Sequence, residues 1–105
     1  MLHRIEEIAE RLLLHTGYPL TAVVSLDENG MMIDICLFDT YWQSDSMCVA
    51  PAASEIWLIS HHPEGGKMPY NEDLYSMERV KAMVDGAQIR FFLVSEYDGC
   101  MALSV

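Results

Sequence analysis

Basic residues are scarce in this chain. Six Lys and Arg stand against sixteen Asp and Glu, a formal net charge of -10. Gripping a phosphate backbone needs a basic footprint, so the composition argues against direct nucleic-acid binding. Long apolar runs are also lacking, and none approaches the roughly 20 residues that cross a bilayer. Glu6, Glu7 and Glu10 interrupt the apolar residues at the start, which is unlike a signal peptide. Cysteine is limited to Cys36, Cys48 and Cys100, an odd number without CxxC spacing. That excludes a disulfide framework or a zinc knuckle and suits reduced thiols in a cytoplasmic protein. A phosphate-cradling GxxxxGK[ST] loop is absent, because Gly65-Gly66 lacks that context.

What is present suffices for one core. Apolar residues make up 51% of 105 positions, enough for a single domain over residues 1–105 without staples. Leu2, Ile5, Ala9, Leu12 and Leu13 recur at helical spacing and predict an amphipathic helix over 2–16. Gly17 and Pro19 would end it. A strand over 20–26 then meets the turn Asp27-Glu28-Asn29-Gly30, and 31–38 returns as its hairpin partner. Residues 39–54 are irregular, with a short strand expected at 47–50 before Pro51.

A buried strand at 56–59 runs into His61-His62-Pro63. Asn71 is the expected N-cap of a helix over 72–85, with Glu72 and Asp73 in its first turn and Gly86 at its end. Strands at 89–95 and 101–105 would pair through Tyr97-Asp98-Gly99. The expected fold is therefore α+β: a single mostly antiparallel (mixed) sheet, flanked by an N-terminal helix and a helix after the His-Pro loop.

The richest stretch chemically is Ser60-His61-His62-Pro63-Glu64-Gly65-Gly66-Lys67-Met68-Pro69-Tyr70-Asn71-Glu72-Asp73. A histidine pair ends a strand, a Pro/Gly-rich loop follows, and a carboxylate opens a helix. The loop can return Asp73 to His62, either to share a metal ion or to make a hydrogen bond that fastens the loop. Ser60 and His61, as strand neighbours, point to opposite faces, which speaks against a serine-hydrolase pairing. Nothing in the sequence places a cysteine beside a histidine.

This stretch resembles the metal motif of the JAB/MPN metalloprotease-like domains, in their RadC-type version. His62-Pro63-Glu64-Gly65, Pro69 and Asp73 fall in register with the family's second zinc histidine, its proline and glycine, its later proline and its metal aspartate. The resemblance implies a JAB/MPN-like fold from about Leu20 to Val105, lacking the helix that precedes the family's histidine strand. It also implies zinc chemistry with a glutamate as general base. The chain departs from the motif at three places. Ser60 stands for the first histidine, Tyr70 for the catalytic serine, and Tyr18, Pro19 and Leu20 offer no carboxylate where the glutamate belongs.

His62 and Asp73 alone, with His61 as the nearest further donor, make a weak or vestigial zinc site, since catalytic zinc uses three protein ligands and an open position. The expectation is a protein without a cofactor and without catalytic residues. The alternative is a zinc-dependent, isopeptidase-like hydrolase using His62, Asp73 and a third ligand.

Inactive members of that family serve as assembly partners, and the resemblance extends that option to this chain. The loop after the first hairpin carries Asp39, Tyr41, Trp42 and Asp45, aromatic anchors beside carboxylates suited to a basic protein partner. Small size and acidity also match inhibitors, of bacterial or phage origin, that occupy a nucleic-acid-binding groove. Strand edges at 45–50 offer a route to a homodimer.

Overall fold

A computed structural model describes residues 7, 19–40, 48–63, 65, 68–84, 86–95 and 99–103. Among the described residues five strands and one helix are arranged as β1 (Leu20–Leu26), β2 (Met32–Asp39), β3 (Glu55–His61), α1 (Asn71–Met83), β4 (Gln88–Ser95) and β5 (Gly99–Leu103). They form one sheet in the order β2-β1-β3-β4-β5.

The β1–β2 hairpin follows from its turn chemistry. The Asp27 carboxylate accepts the N–H groups of Asn29 and Met31, each at 2.9 Å. Gly30 supplies the positive φ, +77°, that closes the turn. β1 then pairs antiparallel with both β2 and β3, and β4 with β5. β3 and β4 are parallel, from Glu55↔Gln88 to His61↔Val94. A helix between two neighbouring strands has this effect: α1 carries the chain back along the sheet, so β4 must restart in the direction of β3.

Alternation splits the apolar residues into two clusters on opposite faces of the sheet. Val23, Ile56, Leu58, Phe91 and Leu93 meet Met77 and Val80 of α1 on one face. Ala22, Val24, Leu26, Trp57, Ile59, Phe92 and Val94 form the other. Strands β1, β3 and most of β4 are thus apolar on both sides, as central strands of a covered sheet must be.

The expected α+β frame is corrected by this architecture. Among the described residues 49% are strand and 19% helix, forming one mixed five-stranded sheet with a single helix, a mostly strand architecture rather than the expected JAB/MPN-like α+β arrangement. The helix expected over 2–16 lies outside the described residues apart from Glu7. The strand expected at 47–50 does not form at 48–50. That segment instead lies against the sheet, with the Ala50 N–H donating to Ser25 Oγ at 3.1 Å and Val49 packed on the α1-side cluster.

Candidate functional site

The loop between β3 and α1 builds the site. Ser60 and His62 follow Ile56 and Leu58 in the alternation of β3 and so face α1. His61 follows Trp57 and Ile59 and faces the other way. The backbone then bends: the His62 N–H donates to the Val94 carbonyl at 2.8 Å, and Gly65 N–H to the His62 carbonyl at 2.9 Å. Pro63 and Pro69 stiffen the path to α1.

α1 begins one residue earlier than expected. Its N-cap is Tyr70, in extended conformation with φ -71° and ψ 162°, rather than Asn71, which is the first helical residue. The physical reason is a reciprocal lock across the first turn. The Tyr70 N–H donates to Asp73 Oδ2 at 2.8 Å, while the Asp73 N–H donates to the Tyr70 carbonyl at 3.0 Å. A carboxylate three residues into a helix accepts from the cap in this way and favours the helix dipole.

Asp73 is also the point where strand and helix meet. Ser60 Oγ donates to Asp73 Oδ1 at 2.5 Å. His62 Nε2 lies 2.7 Å from Asp73 Oδ2. Because a carboxylate only accepts, Nε2 carries the proton and donates it. The ring of Tyr70 stacks on that of His62, with centroids 3.8 Å apart and planes 16° apart. Ser60, His62 and Asp73 are all 0% exposed.

Burial decides what this arrangement can do. A buried carboxylate is costly unless hydrogen-bonded, and here three donors satisfy it. Bonds to charged groups are worth about 1.5–3 kcal/mol each, so the cluster is a strong tie between β3 and the start of α1. The side chains of Ser60, His62 and Asp73 are closed off from solvent. His62 Nδ1 is buried without a hydrogen-bond partner among the described residues.

The residues present do not fit a catalytic zinc. Two ligands on a tetrahedral zinc at about 2.0–2.2 Å stand roughly 3.3 Å apart. Nε2 and Oδ2 are closer than that, at 2.7 Å, and bonded to one another. Among the described residues no group of three His, Cys, Asp or Glu could hold a metal ion. His61 is on the opposite face of β3. Glu55 lies roughly 20 Å along the strand from His62. Its carboxylate is engaged by Trp57 Nε1 at 3.2 Å and Arg90 Nε at 3.0 Å.

The other predicted positions are dispersed. Asp39 closes β2, half-buried, while Tyr41, Trp42 and Asp45 lie outside the described residues. Cys36 and Cys48 adjoin each other. A hydrogen bond with Cys36, helped by burial and by the negative charge of Asp34, pushes the Cys48 thiol up to about 11, the opposite of an activated nucleophile. Sequence reasoning missed the role of Ser60 as a donor to Asp73 and of Tyr70 as the ring covering His62. The i, i+2 spacing of Ser60 and His62 was the available signal for the first.

No family model matches this chain, and neither a curated protein nor a solved structure is similar to it. No helix among the described residues is long and apolar enough to cross a membrane.

Proposed function

We propose that this chain is a catalytically inactive, acidic interaction module of the cytoplasm, in which a RadC-type loop serves as a structural clasp. It binds, and by binding inhibits, a basic protein partner. One observation carries the reading: the Asp73 carboxylate is consumed by Ser60, His62 and the Tyr70 N–H, and the Ser60, His62 and Asp73 side chains are completely buried. A hydrolytic centre keeps a carboxylate or imidazole directed at solvent or substrate, and here both face inward. The net charge of -10 supplies the attraction for a cationic partner.

Two measurements test this. Zinc titrated into the purified protein should leave the unfolding temperature unchanged, because a ligand held by the native state raises it by mass action. A stoichiometric zinc ion, lost together with a hydrolase activity on His62→Ala, overturns the inactive reading. Capture of bacterial proteins on the immobilised chain should enrich a defined basic protein at low salt and lose it at high salt, since screening weakens charge attraction. Retention of nothing basic at low salt overturns the partner class.

A further inference from the structure

β2 is an edge of the sheet, paired only with β1 among the described residues. The Thr40 N–H bonds to the Pro19 carbonyl at 2.9 Å, which fixes the phase of the antiparallel ladder. In that phase Phe38, Cys36 and Asp34 turn their backbone groups toward β1, and Leu37 and Ile35 turn theirs outward. The outward Ile35 N–H is capped by a side chain from its own strand, Asp34 Oδ1, at 2.9 Å.

The two faces of this edge differ. Cys36 and Phe38 are buried toward α1. On the other face Ile35 and Leu37 stand 43% and 54% exposed. They extend the row of Val24 and Ala22, which are completely buried. An edge that presents outward amides beside exposed aliphatic side chains is a template for a further strand.

Charge selects the occupant. Between Arg11 and Lys67 the chain has no Lys or Arg, while Asp27, Glu28, Asp34, Asp39, Asp45, Glu55 and Glu64 fall in that interval. A second copy added through β2 would bring Asp34 near its own counterpart with no cation on either strand to offset it, an unfavourable cross-strand arrangement. A basic strand meets no such repulsion.

We propose that β2 receives an extended segment of a basic protein as a sixth strand. The segment alternates apolar and cationic residues: the apolar ones cover Ile35 and Leu37, and the Lys or Arg residues face the Asp34 side. A carbonyl of the segment takes over the Ile35 N–H, and the released Asp34 carboxylate pairs with a cation. Asp34 therefore blunts the edge when it is alone and selects charge when it is filled. This inference rests on the basic-partner reading and assigns that reading a surface.

The test uses the whole chain and ten-residue capped peptides, followed by amide hydrogen exchange. A peptide alternating Lys and Val should slow exchange at Ile35 and Leu37 at least tenfold. A Glu-Val peptide should not, and Ile35→Pro should abolish the effect. Proline at an outward-facing edge position removes no ladder bond to β1, so the fold should tolerate it. If Ile35→Pro does not fold, Leu37→Lys on the exposed face serves instead and should also abolish protection. Equal binding of a blocked-sequence Lys/Val peptide, without protection of β2, sinks the edge assignment while leaving the basic-partner reading intact. Protection of Ile35 and Leu37 that grows with protein concentration alone identifies a second copy and overturns the choice of occupant.

Discussion

The Tyr70 ring lies 3.8 Å from the His62 ring and nearly parallel to it, so the residue that caps α1 also roofs the histidine that anchors α1 to the sheet. Cap, roof and anchor are joined through one carboxylate, Asp73, and two consequences of that junction can be measured.

Asp73→Asn should destabilise the protein by about 2–4 kcal/mol, read from the urea midpoint. An amide is neutral and offers one oxygen where the carboxylate offers two: with that oxygen on His62 and Tyr70, its NH2 faces Ser60 Oγ, which must turn from donor to acceptor. A loss below about 0.5 kcal/mol would show that the cluster does not hold the fold.

Ser60→Ala should cost about 1–2 kcal/mol, less than the change at Asp73, because His62 and Tyr70 remain to satisfy the carboxylate. Combined with His62→Ala it should be non-additive, since both partners act on one carboxylate. Strict additivity in a double-mutant cycle contradicts that coupling.

Much of this architecture can be read from local chemistry. β1 and the Asp27-to-Gly30 turn follow from side chains acting within a few residues. The meeting of His62 and Asp73 follows from a loop that must return. The parallel β3–β4 pair does not appear in any window of sequence, because strand neighbours are chosen by the path of α1 over the sheet. The shift of the N-cap from Asn71 to Tyr70 has the same origin. Asn71 is the better cap by propensity, yet the Asp73 carboxylate is held by Ser60 and His62 from a distant strand, and its backbone bonds fix the cap at Tyr70. The strand expected at 47–50 fails at 48–50 because the contacts that place those residues, Ser25 and the α1-side cluster, are remote in sequence.

Leu58→Ala should cost about 2–5 kcal/mol in the same unfolding assay. Leu58 is 0% exposed and sits on β3, with Val23 of β1 and Phe91 of β4 on either side in register. A cost near zero would mean that the α1-side cluster can collapse onto the vacated space.

Cys48 should alkylate slowly although it is exposed. At pH 8 a thiol pushed up to about 11 is mostly neutral, and only the thiolate reacts. Its rate should keep rising with pH toward 11, whereas Cys36→Ser removes the thiol partner and should speed the reaction at pH 8. Mass spectrometry of iodoacetamide-treated protein checks this, with Cys100 as the exposed internal reference. Equal rates at Cys48 and Cys100 in the wild type contradict the contact with Cys36.

The placement of β3 between β1 and β4 has a bearing on biosynthesis. A two-stranded hairpin is marginal by itself in water, so β1 and β2 gain lasting order only after residues 55–61 have emerged from the ribosome. β3 in turn waits for residues 88–95. A nascent chain arrested before Gln88 would leave the β4 side of β3 unpaired, with its backbone groups open, making premature termination products sticky substrates for chaperones and proteases.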